Sequence, residues 1–234
     1  MIPSIVSFGD SFVWGSELPN NHDGHQAWCG IIAKRLGVDY KTFATPACGN
    51  EHIARQLYQY FSENSVEDTL AIVNWTWSMR WDFYIVDTES WVTLGPTCIP
   101  RRLDQHVSTD EAHQIIAFYN RYTGDSILWN RHRSLQAIFA VQSYLKSINA
   151  NVIQTYMDYD LFNTEHHAPN YIRLLQDMVT PSLENWDGKN FLDWSADRGH
   201  EITAKDQHPL LTSHVDAANF WEARYKHQLF NKEK

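Results

Sequence analysis

The sequence predicts an α/β fold in which a central parallel sheet is covered by helices on both faces. Short apolar runs alternate with helical patterns along the chain, and strands joined through helices form βαβ units with parallel strands. No repeat, linker or low-complexity tract divides the 234 residues, a length that suits one large domain. We therefore expect a single domain over residues 1–234.

The predicted strands are short apolar runs bounded by polar or turn residues. Four segments fit this description, Ser4–Phe8, 39–45, Thr69–Trp75 and Asn151–Tyr156, and residues 190–192 suggest a short fifth strand. The run TLAIVNW at 69–75 has the strongest character of a buried strand. In open parallel sheets the ligand site lies at the carboxyl ends of such strands.

The predicted helices carry apolar residues at spacings of three and four. Six segments show this pattern, at 26–36, 51–64, 109–122, 126–148, 168–178 and 213–230. In the first, Trp28 and Ile32 lie on one face and Gly37 supplies a stop signal. In the last, Ser213 followed three residues later by Asp216 resembles a capping box.

Between about residues 81 and 110 the alternation of strands and helices breaks down. Trp91, Gly95, Pro96 and Pro100 occur here without a sustained period, which is typical of loops and turns. We interpret this segment as an insertion into the domain, with room for a hairpin.

Composition and charge exclude several classes of function. The formal net charge is −9, which disfavours binding to nucleic acid or to an anionic membrane surface, since both require a basic face. No apolar run approaches the roughly 18 residues of a membrane span, and the N-terminus lacks the pattern of a signal peptide. Cys29, Cys48 and Cys98 form no CxxC pair, which fits a reducing compartment. We expect a cytoplasmic protein.

The candidate nucleophile is Ser11, in the stretch Gly9-Asp10-Ser11 directly after the first predicted strand. Taken alone, this tripeptide is also a common strand-to-helix turn in which Asp10 or Ser11 caps the helix. A serine nucleophile needs a base, and the base needs an orienting group. His208 is the best placed histidine, since Pro209 restricts it to an extended conformation just before the last helix. Asp206 is the expected orienting group.

With these residues in place, the chain resembles the SGNH, or GDSL-type, hydrolases. Their Gly-Asp-Ser block is matched by Gly9-Asp10-Ser11, and their histidine block by His208-Pro209. The resemblance implies a flavodoxin-like three-layer α/β/α sandwich and hydrolysis of esters through an acyl-enzyme. It also implies an oxyanion hole made by the amides of Ser11 and Gly49, and a mainly structural role for Asp10.

The middle blocks depart from the family pattern. The family places Gly-x-Asn-Asp after the third strand, whereas this chain has Asn74-Trp75-Thr76 there. Asn74 has the right chemistry but stands about two residues early, Thr76 stands nearer the expected place, and Asn50 is a third candidate donor. Loss of one oxyanion donor costs about 100- to 1000-fold in rate.

The orienting group of the base is also open. The family usually places the aspartate three residues before the histidine, but Asp206 stands only two before His208. Asp197 and His200 have the usual spacing and lack the proline and the adjoining helix, so we rank His208 above His200. A Ser–His dyad oriented by a backbone carbonyl is the remaining alternative.

Aromatic residues and one arginine are the candidate substrate contacts. Trp14 follows the nucleophile closely, and Trp77, Arg80 and Trp81 follow the third strand, where they could stack on a sugar or grip an anionic group. We expect a small-molecule or carbohydrate ester as substrate, such as an O-acetyl group. The alternatives are a catalytically weak or inactive glycan- or protein-binding module, and an acyltransferase.

We expect no cofactor and no metal. His22 and His25 lie close in a polar loop and His166-His167 are adjacent, but neither pair has the helical spacing and partner glutamate of zinc hydrolases. Cys48, beside Gly49, is an alternative nucleophile, although it lacks a nearby base and is better explained as a small core residue.

Overall fold

The computed structural model describes residues 4–67, 69–96, 103, 105–124, 126–162 and 168–225. Cys98 and His166-His167, which the sequence analysis singled out, lie outside these ranges. The described strands are β1 (Ser4–Phe8), β2 (Asp39–Thr42), β3 (Thr69–Trp75), β4 (Trp81–Ile85), β5 (Ser90–Leu94) and β6 (Asn151–Tyr156). The described α-helices are α1 (Ser11–Trp14), α2 (Trp28–Leu36), α3 (Asn50–Glu63), α4 (Thr109–Tyr119), α5 (Ile127–Ser147), α6 (Asn170–Val179), α7 (Phe191–Asp197) and α8 (Leu211–Arg224).

The central sheet contains four parallel strands in the order β2-β1-β3-β6. Strand β1 is central and pairs with both β2 and β3, with Ser4 aligned to Asp39 on one side and to Thr69 on the other. The carboxyl end of β1 therefore lies next to the carboxyl end of β3, where the functional candidates of both strands meet.

Side-chain alternation along the strands divides the core between two helical layers. On one face, Ile5 and Ile72 pack with residues of α1, α2, α7 and α8, and on the other, Val6 and Val73 pack with residues of α3, α5 and α6. Successive side chains of a strand point to opposite faces, so one apolar run supplies both layers. The predicted three-layer α/β/α class is confirmed.

The insertion contains an antiparallel hairpin of β4 and β5, with Trp81 paired to Leu94. Ile85, Val92 and Leu94 pack with Leu103 and with residues of α4 in a separate small core. Helix α4 begins with a full capping box between Ser108 and Glu111, and its pattern ends in a π-helical turn over Asn120–Gly124.

Two predicted details are wrong. Residues 190–192 are not a strand, because the Asn190 side chain accepts from the Asp193 amide and starts helix α7. Helix α8 begins at Leu211, so Ser213 is not its cap; the Ser213 side chain is instead buried against Ser195. No described helix combines the length and the apolar character needed to cross a membrane.

Candidate active site

The turn between β1 and α1 places Ser11 as the first residue of a short helix. Gly9 is required because a Cβ atom there would lie 2.6 Å from Val13 Cγ2 and 3.1 Å from the Asn74 carbonyl oxygen. The Asp10 side chain caps the helix by accepting from the Phe12 amide at 3.0 Å. Ser11 is 5% exposed, and the structure shows no hydrogen bond from its hydroxyl to a described residue.

Asp10 is fully buried and held by three partners. Besides the Phe12 amide, its carboxylate accepts from Thr76 Oγ1 at 2.6 Å and from Arg80 Nη1 at 2.9 Å. Arg80 Nη1 also donates to Thr76 Oγ1 at 2.7 Å. These contacts join the turn before Ser11 to the loop after β3 through a buried ion pair. Removing one partner of such a pair strongly destabilises the fold, because it leaves a buried charge without compensation.

Ser11 opens into a cavity of about 650 Å³ at the carboxyl ends of β1 and β3. This volume lies within the range of small-molecule sites. Its walls come from six parts of the chain, and they include Ser11, Phe12, Ser16, Glu17, Pro46, Ala47, Trp77, Met79, Arg80, Thr93, Gly95, Pro96, Leu192, Lys205, Asp206, Gln207 and His208. The residues from Thr93 to Pro96 belong to the insertion, so the hairpin supplies one wall.

His208 reaches the same cavity from the far end of the chain. Its loop is closed on itself, since the Thr203 amide donates to the His208 carbonyl at 2.9 Å and the His208 amide donates to Thr203 Oγ1 at 3.0 Å. The imidazole packs on the Phe12 ring, with 5.1 Å between ring centroids. The structure thus brings Ser11 and His208 to one cavity, while His200 bonds Asp216 at 3.1 Å outside the cavity lining.

The carboxylate nearest the His208 ring is not the expected one. Asp206 lines the cavity but is exposed, and no ion pair or hydrogen bond joins it to a described residue. Glu17 Oε2 lies 3.7 Å from His208 Nδ1. Asp197, the other expected candidate, pairs with Lys189 on the surface.

Several expected oxyanion donors are engaged elsewhere. The Gly49 amide donates to Asp82 Oδ1 at 3.1 Å, and the Thr76 hydroxyl donates to Asp10. The Asn50 amide group donates to the Thr76 carbonyl and to Ser134 Oγ, at 3.1 Å and 3.0 Å. These bonds explain why Gly49, Thr76 and Asn50 do not line the cavity.

Asn74 also lies outside the cavity lining, but its hydrogen bonds differ from those of the other side-chain candidates. Its carboxamide oxygen accepts from Thr155 Oγ1 at 2.8 Å, which leaves its NH₂ group as the free end among the described residues. Asn74 alternates with Ile72 along β3 and therefore faces the layer that contains α1. The Asn74 NH₂ group and the Ser11 amide are therefore the two candidate donors that donate no hydrogen bond to a described residue.

The expected substrate contacts divide between cavity and core. Trp77 and Arg80 line the cavity, although Nη1 of Arg80 is committed to Asp10. Trp14 packs against the core beside α2, and Trp81 packs in the insertion core with its ring 6.4 Å from that of Tyr119. Both Trp14 and Trp81 lie outside the cavity lining because apolar neighbours cover them.

The alternative chemistries find little support among the described residues. No group of three or more histidine, cysteine or acidic side chains in the described ranges could hold a metal ion. Burial raises the pKa of the Cys48 thiol well above its ordinary value, so the reactive thiolate is disfavoured. Its Sγ donates to the Gly9 carbonyl at 3.4 Å, as a small core residue would.

Sequence reasoning missed Asp82 and Glu17. Asp82 accepts from the Gly49 and His52 amides and from Thr93 Oγ1, and so caps α3 from the hairpin. An acid among the aromatic residues of WDFYI was the available signal, since a carboxylate on an inward-facing strand position needs buried donors. Glu17 gave no comparable signal, because only tertiary contact brings it to His208.

Several solved structures have a fold similar to that of this chain. A member of the lipolytic G-D-S-L family from Veillonella parvula superposes with a TM-score of 0.51 and 11% identity, over 95% of this chain and 98% of that one. The psychrotrophic esterase EstA from Pseudoalteromonas gives 0.53 and 10%, over 98% and 100%, and TesA gives 0.52 and 13%, over 97% and 99%. The sequence itself matches no protein family and no curated protein.

The similar structures and this chain share one class of fold, the three-layer α/β/α domain. More narrowly, the chain has an SGNH-type, or G-D-S-L, hydrolase fold, as the resemblance implied. At identities of 10–13%, these similarities show the fold of the chain and nothing about its activity.

Proposed function

We propose that this protein is a serine ester hydrolase with Ser11 as nucleophile and His208 as general base. The observation that carries the proposal is the shared cavity: residues from opposite ends of the chain meet at the carboxyl ends of β1 and β3. Parallel sheets place ligands at this edge. The hydroxyl of Ser11 bonds no described residue and is therefore available to a base, and the His208 ring is held by its loop and by Phe12.

In the proposed reaction, His208 takes the proton of the Ser11 hydroxyl as its oxygen attacks the acyl carbonyl. The Ser11 amide and the Asn74 NH₂ group stabilise the oxyanion. His208 then gives its proton to the leaving alcohol, and water, activated by the same ring, hydrolyses the acyl-enzyme. Asp10 takes no part in proton transfer, since its carboxylate is fully committed to Phe12, Thr76 and Arg80.

The cavity favours a short acyl group on a compact or sugar-like alcohol. Its volume of about 650 Å³ is shared by both parts of the ester. Trp77 offers an aromatic wall of the kind that stacks on a sugar ring, while Met79, Pro46 and Pro96 are apolar.

A panel of nitrophenyl acetate, butyrate and octanoate tests the proposal. We expect turnover of the short esters to fall by about 10⁴- to 10⁶-fold in Ser11→Ala. In His208→Ala we expect a loss of about 10²- to 10⁴-fold. His200→Ala is the matched control, because that ring pairs with Asp216 outside the cavity, and we expect it to be as active as wild type. Full turnover by His208→Ala with an inactive His200→Ala would reverse the assignment of the base.

One observation favours a second candidate, a binding module without turnover. The Gly49 amide, which the family resemblance assigns to the oxyanion hole, donates to Asp82 instead. If the folded wild-type protein hydrolyses none of the esters yet binds short acylated sugars in calorimetry, this second function replaces the first.

A further inference from the structure

Among the described residues, one carboxylate lies within ion-pair distance of the His208 ring, and it is not the one that sequence spacing suggests. Nδ1 of His208 is buried and has no hydrogen-bond acceptor among the described residues. Glu17 Oε2 lies 3.7 Å from this atom. A shift of about 1 Å would bring the two atoms to hydrogen-bond distance. A base in a serine hydrolase needs an acceptor at this nitrogen, so that its other nitrogen faces the nucleophile.

Several hydrogen bonds to the backbone fix the loop that carries Glu17. The Ser16 amide donates to the Ser11 carbonyl at 3.0 Å, and the Leu18 amide donates to the Gly15 carbonyl at 3.2 Å. Asn21 Nδ2 donates to the Trp14 and Gly15 carbonyls, which fixes the loop from outside. Glu17 itself has a φ of 67°, a left-handed conformation that costs a non-glycine residue energy and persists only where the surroundings enforce it.

The loop therefore ties Glu17 to the nucleophile. Ser11 and Glu17 lie on the two sides of one short, internally bonded turn, and both line the cavity. The side chain of Glu17 is 32% exposed and that of His208 is 14% exposed, so the pair lies at the cavity wall and not in bulk solvent.

Asp206 is less well placed for the same task. Gln207, between Asp206 and His208, has a φ of 59°, and its amide donates to the Thr203 carbonyl, so the chain turns sharply there. No ion pair or hydrogen bond joins Asp206 to the His208 ring.

We infer that Glu17 is the positioning residue for His208, accepting from Nδ1–H and holding Nε2 toward Ser11. The inference rests on the proposed function, and it replaces the expected aspartate before the histidine by a glutamate after the nucleophile. Glu17 acts through His208 and does not touch the substrate's reacting atoms. Because the pair is partly exposed, its electrostatic contribution is screened, and orientation is its main effect.

Kinetics of Glu17→Gln provide the first test. We expect kcat for nitrophenyl acetate to fall by about 10- to 100-fold with little change in KM, because a misdirected base slows chemistry and leaves binding intact. Glu63→Gln is the matched control, since it removes the same charge from an exposed position near the end of α3, and we expect wild-type kinetics. If Asp206→Asn lowers kcat in this way and Glu17→Gln does not, Asp206 orients the base and the inference is overturned.

The tautomer of the neutral His208 ring is the second readout and does not require turnover. Long-range ¹H–¹⁵N spectra of wild type should show the proton on Nδ1, and Glu17→Gln should shift the population toward the other tautomer, while Glu63→Gln should not. An unchanged tautomer in Glu17→Gln contradicts the inference. If Ser11→Ala proves as active as wild type, the proposed function fails; the tautomer result then still decides whether Glu17 orients His208.

Discussion

At the scale of single residues, the carboxylate of the Gly9-Asp10-Ser11 turn is a structural group. Asp10 is fully buried and bonded to Phe12, Thr76 and Arg80, so it holds the turn that presents Ser11. Arg80 was predicted from the sequence to contact the substrate. Its Nη1 donates to the Asp10 carboxylate, and its side chain also forms part of the cavity wall. Asp10 and Arg80 therefore hold the turn, and neither is the proposed nucleophile.

Arg80→Met should destabilise the fold strongly. The substitution leaves the Asp10 carboxylate buried without its cation, and removing one member of a buried pair costs about 3 kcal/mol or more. Urea denaturation measures the change in unfolding free energy. Arg35→Met, which breaks the exposed pair with Glu222, is the control and should cost less than about 1 kcal/mol. Equal losses in the two variants would contradict the structural role of the Asp10 pair.

His214 should make stability fall in mild acid. Burial lowers the pKa of His214 from its ordinary value of 6.5 to about 3, and its Nδ1 accepts from the Trp28 amide at 3.2 Å. The unfolded chain binds this proton below about pH 6.5 and the folded chain does not, so the contribution is complete above 6.5 and is lost as pH falls toward 3. The slope approaches about 1.4 kcal/mol per pH unit.

The test is the slope of unfolding free energy between about pH 6.5 and pH 5. His214→Asn can keep an acceptor for the Trp28 amide but cannot take up a proton, so its slope should be shallower than that of wild type. An identical slope in both proteins would show that His214 does not control stability in this range.

At the scale of elements, the β4–β5 hairpin connects the insertion to the main domain. Asp82 on β4 accepts from the Gly49 amide at 3.1 Å and the His52 amide at 2.7 Å, and thereby caps helix α3. The same hairpin carries Thr93 and Gly95 into the cavity wall. Sequence patterns predicted only the bounds of this insertion. In the structure it supplies both the cap of helix α3 and one wall of the cavity.

Asp82→Ala should destabilise the protein by about 1–3 kcal/mol, since the first turn of α3 loses its acceptor. Thermal or urea unfolding measures this loss. Asp87→Ala, in the exposed turn of the same hairpin, is the control and should change stability by less than about 0.5 kcal/mol. If Asp82→Ala is as stable as the control, α3 does not depend on the cap.

Element predictions held where the local signal was strong. The runs SIVSF, TLAIVNW and NVIQTY are strands as predicted, because burial on the sheet decides their conformation. Residues 190–192 became helix because Asn190 acts as a cap, a role that short apolar runs cannot reveal. Ser213 failed as a cap because its hydroxyl lies against Ser195, which is distant in sequence.

At the scale of the whole molecule, the parallel sheet explains how the site is assembled. Strands β1 and β3 end side by side, and the loop before α8 closes over them with His208. The position of Ser11 after the first strand could be predicted from sequence, and so could the location of His208 at the same edge of the sheet. Glu17 and the engagement of Gly49 by Asp82 could not, because both depend on tertiary contacts between segments without a shared motif.

Labelling by a fluorophosphonate probe, with the modified residue located by peptide mass spectrometry, tests most directly whether Ser11 is the nucleophile. We predict that wild type is labelled at Ser11 and that Ser11→Ala is not labelled, while Ser16→Ala, in the same cavity wall, is labelled as wild type is. Equal labelling of wild type and Ser11→Ala, or a label on another residue, would contradict the assignment of Ser11 as the nucleophile.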